Sequence, residues 1–404
     1  MKQEHVSKGI LSGIRVIELT EALAGPYCAM YLGDLGADVI KIERVGVGDA
    51  SRRWAPPYVG DQSAYFLSTN RNKRSLTLNI NSEEGLAILH KLLDTADVFI
   101  TNQPRMSSLK KRGLDPESCL ARNPRLIHVS ITGFGHTGPR AGSPGYDIVA
   151  QAMSGSMSLT GPAESDEPYR FPSPLADMSA GMYAFASTLA ALFHRERTGE
   201  GQAIDVSLLE SQLSWMTNLA GAYFATGEPP KRRGNDHPTI TPYRPFRAGD
   251  GRYFILAVGS EPIWQRFCKA VGLEHLVDDP RFATNPDRLQ HRQELYDVLE
   301  PHFLQKSAEE WLTLLKEANV PSAPIYRLDE ALNDPHVLAR GMVVSQQHPS
   351  AGTIRNLAFP GHFSATPARF DGPPPRLGEH TDEILQELGY DVKAIQELRG
   401  KGVV

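Results

Sequence analysis

Short apolar runs alternate with amphipathic stretches through the first third of the chain. Ile14 to Leu19 (IRVIEL) has the length and texture of a buried strand. A loop, Thr20 to Gly25, leads into a helical pattern through AMYLGDLG. Pro26 falls in the first turn of that helix, where a missing N–H costs nothing. Val39 to Ile42 is the next strand and ends in Glu43-Arg44. Further strands are predicted over Ser75 to Leu78, Val98 to Thr101 and Arg125 to Thr132. Ser82, followed by Glu83 and Glu84, reads as the capped start of a helix reaching Leu93. Strand–helix alternation of this kind predicts an α/β fold, a doubly wound Rossmann-like parallel sheet.

Beyond it, Tyr146 to Met153 reads as a short helix, and a long one begins at Met178. Ile204 to Leu208 is a predicted strand and Leu209 to Thr226 a helix. After Gly227 the texture turns polar and Pro-rich (GEPPKRRGNDHPTITPYRP), as a linker does. Phe246 to Val258 predicts a hairpin turning at Gly249-Asp250-Gly251. Helical patterns follow at Glu261 to Val271, Asp287 to Leu304 and Ala308 to Ala318. A second linker surrounds Asn333-Asp334-Pro335-His336, a strand-like stretch starts at Gly352, and a last helix starts near Thr381. The expected division is a large α/β domain from residues 1–225 and 335–404, and a smaller α+β domain from 226–334 with its flanking linkers.

A chain of 404 residues exceeds one ordinary core, in keeping with two domains. The net charge of −5, with no basic run longer than three residues, argues against a nucleic-acid partner. The longest mainly apolar run, Ala180 to Phe193, falls short of the roughly 20 residues that span a bilayer. No membrane association is therefore expected, and the N-terminal MKQEHVSKGILSG lacks the apolar core of a signal peptide. Cys28, Cys119 and Cys268 are few, odd in number and far apart. They offer neither a disulfide framework nor a metal site and fit a cytoplasmic location.

Gly133-Phe134-Gly135-His136-Thr137-Gly138 is a literal GxGxxG after a strand, but Pro139 follows and no helix opens there. A dinucleotide site needs helix N–H groups facing the pyrophosphate, so the motif is set aside. The first strand–helix turn has a single glycine and lacks the same fingerprint. No P-loop or HExxH is present, and nothing selects a Ser–His–Asp triad among the 13 histidines. Asp177 lies just before the long helix. It reads either as a plain N-cap or as a nucleophilic carboxylate held ionised by the helix N-terminus, with the small residues Ala176, Ser179, Ala180 and Gly181 leaving room for an acyl group. Lys41, Arg44 and Asn72-Lys73-Arg74 flank strand ends, as solvated charges or as an anion-binding rim.

Several stretches together resemble one family. They are LSGIRVIELTEALAGPYCAMYLGDLGADVIKIER, YFLSTNRNKRSLTLN, NPRLIHVSITGFGHTGP and YDIVAQAMSG, then PLADMSAGMYAFASTLAALFHRERTGEGQAIDVSLLESQ, NDPHVLARGM and PPPRLGEHTDEIL. In order, and over nearly the whole chain, they resemble the class III coenzyme A-transferases, the family of formyl-CoA transferase and carnitine CoA-transferase. The resemblance implies an interlocked, ring-like homodimer, each chain threaded through the other, with a large CoA-binding domain built from both chain ends. A related chain in place of an identical one is the other arrangement it allows. It implies no permanently bound cofactor: coenzyme A enters and leaves as substrate and product.

By the same resemblance the catalytic aspartate is Asp177. It attacks an acyl-CoA thioester, passing through mixed anhydrides and an aspartyl-CoA thioester. CoA contacts carry over to Ala22 and Leu23 beside the thioester, to Arg44, to Leu78, Asn79, Ile80 and Asn81, to Asn102, and to Lys111 across a loop one residue longer than in formyl-CoA transferase. Tyr146 and Asp147 complete the set. Leu23 stands where formyl-CoA transferase has glutamine, and HPTITPYRP stands where it has a glycine run, so formyl and oxalyl groups are disfavoured. The α-methylacyl-CoA racemases of the family carry Gly-His-Asp where this chain has Gly145-Tyr146-Asp147. Tyrosine, with a reference pKa near 10, is a poor proton exchanger at neutral pH, which favours transfer over racemisation. Transfer from succinyl-CoA or another dicarboxyl-CoA to a carboxylic acid is the expected activity. Intramolecular transfer within one dicarboxylate is its variant and an acyl-CoA racemase its alternative. Arg52, Arg53, Arg170 and Arg244 are candidates for binding a distal carboxylate.

Overall fold

A computed structural model describes residues 9–404. The chain divides into two units. The larger runs to Met157, resumes at Arg170–Gly227 and ends with His336–Val404; the smaller comprises Ser158–Tyr169 and Glu228–Pro335. Ser158–Tyr169, which sequence texture assigns to the large domain, thus belongs with the smaller unit.

The larger unit is built on a six-stranded sheet: β1 (Arg15–Leu19), β2 (Asp38–Glu43), β3 (Lys73–Thr77), β4 (Val98–Thr101), β5 (Ile127–Thr132) and β6 (Gln202–Ser207). All neighbours are parallel and the order is β3-β2-β1-β4-β5-β6, the doubly wound arrangement. Strand order reverses between β1 and β4, so the crevice at their carboxyl ends is the default ligand position of such sheets. One face is covered by helix α1 (Ala24–Asp34), and the other by α2 (Glu83–Leu93). Ser82 caps α2 by accepting from the Gly85 N–H, as its sequence predicts. The C-terminal helices, Thr381–Glu387 and Val392–Gly400, pack on the α2 face, and the Asn79 N–H donates to the Val403 carbonyl.

The long helix α3 (Leu175–Thr198) lies beside α1. Its buried positions include Ala176, Ala180, Ala184, Thr188 and Ala191, a stripe of small residues that lets the two backbones approach. Gly181 marks a close approach, because a Cβ there would stand 2.7 Å from the Ala24 carbonyl oxygen. The helix stops where Gly199 adopts φ +81° and donates to the Arg195 carbonyl. Its start differs from expectation. Pro174 is the N-cap residue, and Asp177 lies inside the first turn, not before it. The predicted helix over Leu209 to Thr226 breaks into α4 (Leu208–Ser214) and α5 (Thr217–Thr226).

The smaller unit holds a three-stranded antiparallel sheet, with Tyr243–Arg247 paired to Tyr253–Ala257 and the latter to Ser322–Pro324. An aromatic core around Phe246, Phe254, Phe303, Trp264 and Trp311 backs it. The predicted helix from Asp287 to Leu304 is interrupted at His291. Among the described residues no helix is long and apolar enough to cross a membrane, and Cys28, Cys119 and Cys268 are free and buried.

The α1–α3 contact is testable. Gly181→Val should lower stability by about 1–3 kcal/mol through overpacking against the Ala24 carbonyl, read from denaturant unfolding.

Candidate active site

Toward the carboxyl ends of β1 and β2, and reaching the first residue of β3, lies a network of wholly buried charges. Glu18 of β1 pairs with Lys41 of β2 at 2.9 Å and with Lys73 of β3 at 2.9 Å. Register explains the first pair, since Glu18 stands directly opposite Lys41. Lys41 also binds Asp49 at 2.8 Å and donates to the Thr20 carbonyl. Lys73 donates to the Pro26 carbonyl and to Asn70 Oδ1. Beside them Glu43 accepts two bonds from Arg52, at 2.7 Å each, and one from Ser75 Oγ. Three carboxylates thus meet three cations. Burial alone would raise the Glu18 carboxyl, but the ammonium groups of Lys41 and Lys73 outweigh it and hold it below the ordinary range. Burial likewise opposes ionisation of Asp49, yet Lys41 and Ser51 hold it down at about 2. Burial pushes Lys73 down to about 8. Lys41 and Lys73 are therefore neither solvated strand-end charges nor an anion-binding rim, because their charge is already matched.

This network positions the loop entering α1. The Ala22 N–H donates to Asp49 Oδ1 at 3.1 Å, and Ala22 holds φ +74°, a left-handed conformation uncommon for alanine. Leu23 is buried at the N-cap position of α1.

Against that loop opens a cleft of about 570 Å³ at the β1/β4 switch point, bordered by Leu19, Thr20 and Glu21 on one side and Asn102 and Gln103 on the other. Of the sequence-predicted contacts, Arg44, Leu78, Asn79, Ile80, Asn81 and Asn102 line it. Arg44 is exposed and pairs with Glu21 at 3.1 Å, and Asn102 donates to the Glu21 carbonyl at 2.9 Å. Lys111 is exposed and does not line the cleft; its neighbour Arg112 does, bonded to Asn81 Oδ1 at 2.6 Å and to Ser108 Oγ at 2.8 Å. Ala22, Leu23, Tyr146 and Asp147 also lie outside the cleft lining.

Tyr146 and Asp147 belong instead to the surroundings of Asp177. The helix Asp147–Met153 begins beside the start of α3. Asp147 Oδ1 accepts from the Ala176 N–H at 2.8 Å and the Asp177 N–H at 3.4 Å, while Gln151 Nε2 holds Oδ2 at 2.7 Å. Gln151 is fixed in turn by the Phe171 N–H. Asp147 is therefore the carboxylate that caps α3. Tyr146 is 71% exposed. The Asp177 carboxylate is part-buried and has no hydrogen-bond or ion-pair partner among the described residues. Burial first, and the charge of Asp147 second, push it up to about 7. This reverses the expectation that the helix N-terminus keeps it well ionised, since that end already carries a carboxylate. Burial, then Asp177, Asp147 and Asp49, push the Tyr65 phenol up to about 12, so Tyr65 stands within electrostatic reach of all three. Its ring meets Trp54 edge-on.

Tyr65, Arg112 and Asp49 are absent from the sequence-predicted set. A charge inside an otherwise apolar strand, as in VIEL and VIKIE, is the signal that points to the buried network. Of the arginines considered for a distal carboxylate, Arg52 is committed to Glu43 and stacked 3.6 Å over Phe66. Arg53 is exposed and bonded to the Val47 carbonyl, and Arg170 is exposed. Arg244, in the smaller unit, reaches Asp236 at 3.7 Å.

Residues 11–381 match the family described as CoA-transferase family III. The chain is 40% identical over 401 residues to the human succinyl-CoA:glutarate CoA-transferase, covering 98% of this chain and 90% of that protein. It is 42% identical over 384 residues to succinate–glutarate CoA-transferase of Agrobacterium fabrum (strain C58), covering 94% and 95%. A crystal structure of a CaiB/BaiF family protein from Brucella suis superposes with a TM-score of 0.85 at 40% identity, covering 94% of this chain and all of that one.

The raised Asp177 carboxyl predicts a stability effect with a defined sign. Below about pH 3.8 the group is neutral folded or unfolded; between there and about 7 only the unfolded chain loses the proton, so stability falls as pH rises. Asp177→Asn should therefore be more stable than the unaltered protein at pH 8, by about 1–3 kcal/mol after allowing for solvent at its exposed edge. The difference should vanish near pH 4, as followed by urea unfolding at both pH values.

Proposed function

This chain belongs to CoA-transferase family III, and on that premise we propose that it moves coenzyme A from succinyl-CoA or another dicarboxyl-CoA to a carboxylic acid acceptor, with Asp177 as nucleophile. One observation carries the reading: Asp177 is a part-buried carboxylate without a hydrogen-bond or ion-pair partner among the described residues. Carboxylates are rarely withdrawn from water unless paired, so an unpaired one is held in reserve for chemistry. The dicarboxylate follows from the names of the human and Agrobacterium relatives.

The steps balance without an external energy source. An Asp177 oxygen attacks the thioester carbonyl; a C–O bond forms, the C–S bond breaks and CoA leaves as thiolate. The thiolate then attacks the Asp177 carbonyl of the mixed anhydride; a C–S bond forms and the donor acid departs as carboxylate. The acceptor carboxylate repeats the sequence in reverse and leaves as the new CoA ester. Each step is an exchange between carboxylates, and covalent catalysis divides one difficult transfer into easier ones. Coenzyme A lies along the 570 Å³ cleft, with Arg44 and Arg112 at its anionic portion and the Leu78–Asn81 backbone beside it.

The same reading includes a homodimer. α5 (TNLAGAYFAT) is mostly apolar yet buries none of its residues, and Phe224 is 81% exposed. With Leu213 and Trp215 it forms an apolar surface of the kind a partner chain covers.

Incubation with succinyl-CoA and hydroxylamine, followed by mass spectrometry, should find Asp177 modified. Asp177→Ala should lower kcat by on the order of 10⁴ or more; full activity in that variant would overturn the mechanism. Arg112→Ala should raise KM for the CoA thioester about tenfold with little change in kcat, whereas Lys111→Ala should leave KM within about twofold.

A further inference from the structure

Asp147 does something at the start of α3 that a cap alone does not require. A helix N-terminus is an anion-binding site, and its free N–H groups would be the natural stabiliser of an ionised Asp177. Asp147 occupies that position instead, accepting from the N–H groups of Ala176 and of Asp177 itself. It is locked there by Gln151, which is anchored to the Phe171 N–H. A fixed negative charge therefore stands one residue's backbone away from the reacting carboxylate. The groups around Asp177 do not compensate it. Asp147 is the charged group that acts on it, Tyr65 is a neutral phenol at ordinary pH, and the nearby Asp49 is matched to Lys41.

We infer that Asp147 is a positioning residue whose fixed charge makes the free Asp177 carboxylate the strained state and acylated Asp177 the relieved one, so that covalent intermediates are favoured. The inference rests on Asp177 being the nucleophile. The charge balance supports it. Before the first step the negative charge is on Asp177, beside Asp147. When the C–O bond forms and the C–S bond breaks, that charge leaves on the thiolate. When the thiolate re-attacks, it leaves on the departing carboxylate. Both the anhydride and the aspartyl-CoA thioester are neutral at Asp177, so each lifts a like-charge repulsion that the resting enzyme bears. The upward shift of the Asp177 carboxyl has the same sign.

The test is Asp147→Asn, in which Oδ1 still accepts from the Ala176 N–H but the charge is gone. Intact-mass measurement of the full-length protein, equilibrated with excess succinyl-CoA, reads the ratio of Asp177 adduct to free enzyme. That ratio should fall about tenfold in the variant, and the acidic limb of its kcat/KM profile should move to lower pH, as a lost like charge requires. Asp147→Glu, which retains the charge, should restore both toward their original values. A purely structural cap predicts neither change, so an unaltered ratio and limb in Asp147→Asn would overturn the inference while leaving the nucleophile in place. Absence of any Asp177 adduct in the unaltered protein would overturn both. If Asp147→Asn does not fold, an Asp147→Glu protein that folds with its acidic limb lowered would also count against it.

Discussion

The strand ends of the larger unit depend on one constraint: charges taken wholly out of water must be matched in place. Glu18, Lys41, Lys73 and Asp49 are buried, and each meets its counter-charge at 2.8 to 2.9 Å. Removing one partner from such a set typically costs about 3–5 kcal/mol, because the survivor is stranded. The network cannot relax without moving three strands and the loop that Asp49 holds through the Ala22 N–H. Rigidity at the mouth of the cleft is thus inherited from electrostatics below it. The positive φ of Ala22 persists because its surroundings overdetermine it.

Asp177 is the deliberate contrast. It stands apart from the paired carboxylates of the buried network, with neither a counter-charge nor a hydrogen-bond partner among the described residues. The small-residue face of α3 brings it close to α1 and so to the loop that the buried network sets. An unpaired carboxylate lowers stability and raises reactivity together, the usual trade at a reacting group. Asp147 extends that trade by spending the helix N-terminus on itself.

Much of the larger unit was legible because its central strands are buried on both faces and read as largely apolar runs. All six strands, the Ser82 cap and the helix over Asp147–Met153 fall where the pattern puts them, to within a few residues. Helix interruptions were not legible. Nothing in the apolar period distinguishes one helix over 209–226 from two, and the break near Ser214 is a matter of packing. Arg112 was not legible for a related reason: only the folded loop shows which of two adjacent cations turns toward Asn81.

Motif and order along the chain determined the family, and with it the proposal that the Asp177 carboxylate is the nucleophile. Tertiary structure alone decided the electrostatic state of that carboxylate. Asp177 looks like a cap, and it is Asp147, 30 residues away, that caps the helix. Lys41 and Lys73 look like solvated strand-end charges, and both are buried against Glu18. In each case the residue type is local information, whereas its charge depends on how much water and which opposite or like charges lie within a few ångströms, and those neighbours come from other parts of the chain.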